Sequence, residues 1–428
     1  MPFSYDRLWK LTADIGMNKT TLRDECGITS ASLARLSKNE NVRMEVLERI
    51  CSYLESDIED IMEYVPERKK MKKNSDFKFI DLFAGIGGFR LAGEKNGMEC
   101  VFSSEIDKFA CDVYKNNFGE MPEGDITKIQ TTDIPDFDVL FAGFPCQPFS
   151  YAGQLQGFED EIRGTLFFDI VRILKEKKPK MFLLENVKGL KSHEKGKTLE
   201  TILEHLEQLG YHVHWTILNS LHFGVPQSRE RWYCVGFDKD VSFDFPKPTN
   251  KKVTLRDIIE WNENNSSLSL SEFEMGRIKY HFNCCPLESS EQIRVEHDNS
   301  NYAPNTKKGK YGVFSYLKPD KSLRFHVGDF AKTQIQEAYY CNLDSFAPSI
   351  IAARAPKLWD LGRHLSDREC ARLQGFPEDF KLANSSAQAK KQLGNSVTVT
   401  VISEIIKNMR QAYEADIPAE KQLKLMEV

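Results

Sequence analysis

Nowhere in its 428 residues does the chain carry a run of about 18 apolar residues, so no membrane-spanning helix is expected. The start, Met1-Pro2-Phe3-Ser4-Tyr5-Asp6, lacks a basic segment leading into a hydrophobic one, so no secretory signal and a cytoplasmic location are expected. Ten cysteines are present, but none falls in a paired Cys-x-x-Cys pattern. In a reducing compartment they stay thiols, most of them acting as small buried hydrophobes. Cys284-Cys285 with His281 comes nearest to a ligand cluster, yet adjacent cysteines chelate one ion poorly, and no metal is expected. Internal repeats and long low-complexity tracts are missing. So is an excess of positive charge, the formal net charge being -5. A nucleic-acid partner would have to be met by local clusters, since phosphate contacts depend on where lysines and arginines lie. Residues 68–73 and 307–310 are two such clusters, and each reads equally well as a solvated segment.

What is present is ordered. The length suggests two or three domains. Residues 1–66 read as short helices, with Leu8, Leu11 and Ile15, then Val46, Leu47 and Ile50, at helical spacing. Within them Thr20 to Cys26 forms one helix, Gly27-Ile28-Thr29 a turn, and Ser30 to Ser37 a second helix started by hydroxyl caps. This resembles the helix-turn-helix of phage repressors of the Cro and cI type. In that motif the second helix enters the major groove, which implies Thr29, Ser30, Ser32 and Arg35 as DNA-facing and Leu33 and Leu36 as inward. A helical bundle serving only protein contacts or stability is the alternative.

After a basic linker at 67–76, residues 77–241 alternate apolar strands with helices. Strands are expected at 77–83, 101–105, 137–141, 181–184 and 232–236, and helices near 107–117, 165–177 and 197–209. The fold class is therefore α/β: a doubly wound, mostly parallel sheet with helices on both faces and ligands at the carboxyl ends of the strands. From 242 to 358 the alternation fades into polar, aromatic and irregular sequence. It returns at 359–412 with Leu365-Ser366-Asp367-Arg368-Glu369-Cys370-Ala371-Arg372-Leu373-Gln374-Gly375-Phe376-Pro377, and 413–428 forms a tail.

Chemistry concentrates at the strand ends. Phe144-Pro145-Cys146-Gln147-Pro148-Phe149-Ser150 presents a lone thiol between two prolines directly after a strand. Leu183-Leu184-Glu185-Asn186-Val187 ends another strand with an acid, and Gln227-Ser228-Arg229-Glu230-Arg231 places two arginines ahead of a third. Asp81-Leu82-Phe83-Ala84-Gly85-Ile86-Gly87-Gly88 runs from strand through glycine turn to helix, and Glu105 closes the next strand where an acid can bind ribose hydroxyls, so the pair points to a nucleoside cofactor.

With Gln392-Leu393-Gly394-Asn395-Ser396-Val397 near the end, this ordered set resembles the DNA cytosine-5 methyltransferases of bacterial restriction-modification systems, over roughly 77–236 and 359–412. The resemblance implies the S-adenosylmethionine-dependent methyltransferase fold, with 242–358 as a smaller target-recognition domain. It implies S-adenosyl-L-methionine as cofactor, bound by the turn of Gly85, Ile86, Gly87 and Gly88 and by Glu105. Phe83, Ile106 and Ile126 would flank the adenine, Asp125 accept its amine, and Gly143, Pro145, Leu166, Asn395 and Val397 complete the pocket. Ile106 stands where many relatives place an aromatic.

Carbon 5 of cytosine is too weakly nucleophilic to take a methyl directly, and thiolate addition at carbon 6 converts the ring to a reactive enamine. Cys146 is the residue for that step, Glu185 for the proton at N3, and Arg231 for O2, while Arg229 braces either Glu185 or the DNA backbone. The nucleotide has to leave the duplex stack, and residues 151–164, flanked by Ser150 and including Arg163, read as a DNA-gripping loop. The expected partners are double-stranded DNA with a flipped cytosine, operator DNA for the amino-terminal domain, and a cognate restriction endonuclease encoded nearby but not necessarily bound. A repressor with a vestigial methyltransferase, and an RNA methyltransferase of the transfer-RNA-modifying branch, are the alternatives. The recognition interval and helix-turn-helix favour duplex DNA.

Overall fold

The computed structural model describes residues 3–64, 77–145, 166–249, 252–261, 265–287, 294–298, 312–327, 335–351 and 355–415. The chain divides into two compact units, residues 1–74 with 259–267, and residues 75–258 with 268–428.

In the first unit a short antiparallel pair, β1 (Phe3–Ser4) and β2 (Glu63–Tyr64), brackets helices α1 (Asp6–Asp14), α2 (Lys19–Glu25), α3 (Ser30–Ser37), α4 (Met44–Leu54) and α5 (Ile58–Ile61). Leu8, Leu22, Leu36, Leu47, Ile50 and Ile61 form its buried core. Caps set the two central helices: Asn18 Oδ1 accepts from Thr21 N–H at 2.9 Å, and Thr29 Oγ1 from Ser32 N–H at 3.1 Å. Each satisfies a helix-end donor that has no intrahelical partner.

The second unit is built on β3 (Lys78–Leu82), α6 (Gly88–Lys95), β4 (Glu99–Ser104), α7 (Lys108–Phe118), β5 (Val139–Gly143), α8 (Leu166–Lys177), β6 (Met181–Val187), α9 (Lys197–Gln208), β7 (His212–Asn219), β8 (Gln227–Ser228) and β9 (Glu230–Phe237). Among the described residues six of these strands form a sheet in the order β4-β3-β5-β6-β9-β7. The contacts β4/β3/β5/β6 are parallel, and β9 is antiparallel to both β6 and β7. One reversed strand thus sits in an otherwise parallel sheet. Alternation along the strands feeds two layers. Ile80, Leu82, Leu140 and Ala142 pack with Phe167, Ile170 and Ile173 of α8 and with Ile202 and Leu206 of α9. Phe79 and Phe141 face the opposite side, where Phe89 of α6 stacks on Phe141 at 5.6 Å. Gly236 lies in register with Phe182, whose ring a Cβ at 236 would strike, so the aromatic covers the glycine of the reversed strand.

The interval that lacked periodicity contains α10 (Glu272–Cys284) and most of a second sheet, completed by a strand just beyond it, in the order β10 (Val295–His297), β11 (Val313–Leu317), β12 (Leu323–Val327), β13 (Ile335–Cys341), β15 (Lys357–Leu358), β16 (Arg363–His364). Ile278, Val313, Leu323, Phe325, Val327 and Tyr340 make its core. A short strand, β14 (Ala347–Pro348), pairs with β8. The chain ends in α11 (Asp367–Leu373), α12 (Ser386–Asn395) and α13 (Val399–Ala415). Asn96, just after α6, donates to Ser403 O of α13 at 3.1 Å.

Candidate active site

Because β3, β4, β5 and β6 run the same way, their carboxyl ends open onto one edge, and the reversed β9 brings its amino end to that edge. Beyond β3 the backbone enters the left-handed region at Phe83 (φ 56°), Gly85 (φ 54°) and Gly87 (φ 88°) before α6 begins. That conformation is free for glycine and costs a phenylalanine on the order of 1–2 kcal/mol. The turn is tied by Ala84 N–H to Ser104 O at 2.9 Å and Gly87 N–H to Ala84 O at 2.8 Å. Gly88 lies so close to the chain after α12 that a Cβ there would sit 2.8 Å from Val397 Cγ2 and 2.9 Å from Ser396 Oγ.

Glu105 follows β4. Its Oε2 accepts from Gly85 N–H at 2.8 Å, and its Oε1 from Ile106 N–H at 2.8 Å and Asp107 N–H at 2.7 Å. The carboxylate joins the first loop to the second and keeps a lone pair on Oε2 for a further donor. Asp125 Oδ1 accepts from the hydroxyl and N–H of Thr127 at 2.8 and 3.1 Å, bonds that hold this carboxyl below its usual range.

A cavity of about 470 Å³ spans these loops. Phe83, Gly85, Ile86, Gly88, Glu105, Ile106, Asp125, Ile126, Gly143, Pro145, Leu166, Asn395 and Val397 line it, together with Glu185, Arg229 and Arg231. Gly87 does not; a Cβ there would run into the ring of Phe118, so this glycine serves the turn. Ile106 is 71% exposed at the rim, whereas Ile126 is buried. Motif reasoning missed Ser104, Asp107, Lys391, Gln392 and Ser396, which also line the cavity. Lys391 Nζ lies 2.8 Å from Asp107 Oδ2 and keeps that carboxyl low. Ser104 Oγ and Gln392 Nε2 are buried without a hydrogen-bond partner among the described residues. Ser104 carried no sequence signal, since an isolated Ser has none, whereas Gln392 opens the motif at 392–397 and only the meeting of the loops shows that it lines the cavity.

At the other end of the cavity β6 presents Glu185. The register pairs Val187 with Arg231 and Glu185 with Tyr233, which sets Arg231 Nε 3.2 Å from Glu185 Oε1. Burial pushes the Glu185 carboxyl up, and Arg231 and Arg229 oppose the shift without cancelling it. Asn186 Nδ2 donates to Phe144 O at 3.0 Å, joining the end of β6 to the chain that leads to Pro145. Cys146, Ser150, Arg163 and the stretch 151–164 lie outside the described residues, as do the basic clusters 68–73 and 307–310. Arg229 is 3% exposed and bonded inward, not to Glu185.

On the separate amino-terminal unit, Thr29, Ser30 and Arg35 are exposed and Ser32 half-buried; Leu36 is buried and Leu33 packs against the core. Thr29 and Ser32 hydroxyls lie 3.0 Å apart, engaged with each other at the cap.

Residues 77–411 match the family model of the C-5 cytosine-specific DNA methylases, and residues 7–67 that of a Cro/C1-type helix-turn-helix DNA-binding domain. The Type II methyltransferase M.HhaI of Haemophilus parahaemolyticus is 39% identical over 352 residues, covering 79% of this chain and 96% of its own. M.NlaX of Neisseria lactamica is 43% identical over 346 residues, covering 79% and 98%. Among solved structures, the S. pombe Dnmt2 methyltransferase superposes with a TM-score of 0.55 at 19% identity, covering 80% of this chain and 100% of that one. A putative DNA modification methyltransferase encoded within an E. coli prophage does so at 0.53 and 18%, covering 79% and 100%.

Proposed function

The chain belongs to the C-5 cytosine-specific DNA methylases, and from that premise we propose that it is the modification enzyme of a Type II restriction-modification pair, using Cys146, Glu185 and Arg231 on a cytosine turned out of the duplex. It is an enzyme, a DNA (cytosine-5)-methyltransferase with an amino-terminal Cro/C1-type helix-turn-helix domain. The observation that supports the site reading best is the pairing of buried Glu185 with Arg231 in one cavity with Pro145, the residue directly before Cys146.

The family implies S-adenosyl-L-methionine, and the cavity suits it. Apolar Phe83, Ile106 and Ile126 offer surfaces for an adenine, Glu105 and Asp125 are acceptors for ribose hydroxyls and an amine, and unpartnered Ser104 Oγ and Gln392 Nε2 await polar atoms. Gly85, Ile86, Gly88, Gly143, Pro145, Leu166, Asn395 and Val397 would close around it, with Gly87 shaping the turn. Bound, that cofactor supplies an electrophilic methyl group.

The Cys146 thiolate adds to carbon 6 of the target cytosine, forming a carbon–sulfur bond and pushing electron density toward N3 and O2. Glu185, whose pKa burial raises, shares a proton with N3, and Arg231 donates hydrogen bonds to O2. Carbon 5 would take the methyl group, the bound cofactor being left as its thioether; a base then removes the carbon 5 proton, the carbon–sulfur bond to Cys146 breaks to free the thiolate, and N3 gives its proton back to Glu185. Removing the nucleotide from the stack costs a few kcal/mol. Labelled methyl groups should pass to duplex DNA and not to transfer RNA; the reverse preference would replace this reading with an RNA methyltransferase. Operator binding by Thr29, Ser30, Ser32 and Arg35 of the amino-terminal domain would let the protein regulate its own synthesis.

A further inference from the structure

Gln227, Arg229 and Arg231 alternate along one extended stretch and share a side of it, yet they end in different places. Arg231 reaches Glu185. The Arg229 guanidinium instead donates through one terminal nitrogen to Ile350 O at 3.0 Å and Ser349 Oγ at 3.3 Å, and through the other to Gly394 O at 3.1 Å and Ser396 O at 2.8 Å. Gln227 binds the first of these segments and the end of α11: its Oε1 accepts from Ile350 N–H at 2.8 Å, and its Nε2 donates to Leu373 O at 2.9 Å and Gln374 Oε1 at 3.2 Å. Gln374 in turn donates to Leu393 O at 2.7 Å. Burying this cation is costly, and Arg229 Nε has no partner among the described residues, but four acceptors split between the two terminal nitrogens match the planar fork of arginine, not the point charge of lysine.

The acceptors belong to parts of the chain with separate tasks. Residues 394–396 border the cavity beside Gly88, and Ser349-Ile350 follow β14, which pairs with β8 in the stretch between β13 and β15 of the recognition sheet. We infer that Arg229 is a positioning residue that couples the two ends of the cavity, clamping the 394–396 wall to the strand that presents Arg231 to Glu185. Filling the cofactor end then steadies the base end. The inference rests on the methyltransferase reading above.

Arg229→Lys keeps the charge and loses the fork. Below its melting midpoint, this variant should bind S-adenosylhomocysteine, without DNA, at least about tenfold more weakly by calorimetry. Its kcat on unmethylated plasmid DNA at saturating S-adenosylmethionine should also fall at least about tenfold, within the usual range of coupling between sites. Glu185→Gln should lower kcat alone. If Arg229→Lys alters only one of the two quantities, or neither, the coupling is overturned. Should that variant not fold, the wild-type chain decides: S-adenosylhomocysteine alone should slow amide exchange at Ile350, and unchanged exchange there refutes the coupling. Wild-type activity separates the two layers, because a chain that transfers no methyl group removes the premise, whereas an active wild type with an unaffected Arg229→Lys removes only the coupling.

Discussion

Glu185 shows how one carboxyl acquires a task from its surroundings. Burial favours its neutral form, while Arg231 at 3.2 Å favours the charged one, and the balance leaves the pKa above the ordinary range. Glu185→Gln keeps a donor at N3 but cannot give up a proton, so kcat for methyl transfer should fall by roughly 10²–10⁴, the span of general acid catalysis. Single-turnover assays with labelled cofactor check it; a change below about threefold would remove Glu185 from the chemistry. Glu185 and Arg231 were legible in the sequence because each stands at a strand end in a motif of fixed order. The situation of Arg229 was not: its acceptors lie at 349–350 and 394–396, more than a hundred residues away, and no local pattern announces a backbone carbonyl. Glu105 was legible as an acid beside the glycine turn, but its bonds to Gly85, Ile106 and Asp107 N–H depend on the loops meeting.

At the scale of elements, apolar runs located β3, β5, β6 and β9 to within a few residues, since strands buried on both faces read as continuous hydrophobic sequence. β7, with His212, His214 and Trp215 in an edge strand, carries no such run and was missed. The recognition sheet was missed for a related reason: its strands are short and put polar residues inside, as with Ser315 between His281 Nδ1 and His297 Nε2, each 2.7 Å away. His281 is fully buried, and burial lowers its pKa to about 4. The unfolded chain, with a histidine pKa near ~6.5, binds the proton first. Stability from this residue is therefore complete above pH ~6.5 and lost as pH falls toward about 4, by up to roughly 3 kcal/mol. Urea unfolding at stepped pH should reveal that slope in the wild type and a shallower one in His281→Gln; equal slopes would mean that folding leaves the His281 pKa unshifted.

The whole molecule joins two DNA-directed parts that were legible separately, each through its own local code: caps and helical spacing for one, strand-end motifs for the other. Arg35 is exposed on α3, remote in sequence from every residue lining the cavity. In the full chain, Arg35→Ala should abolish footprinting on the DNA upstream of its own gene and leave methylation of plasmid DNA unchanged; loss of methylation instead would make the amino-terminal unit part of the catalytic grip. The proposed mechanism turns on a transient bond between Cys146 and the target base. A duplex carrying 5-fluorocytosine at the methylated position blocks release of that bond, because fluorine cannot leave as the carbon 5 proton does. With S-adenosylmethionine present, the protein should become covalently joined to this duplex, with the adduct mapping to Cys146 by peptide mass. Recovery of free protein, or an adduct at any other residue, would contradict the mechanism.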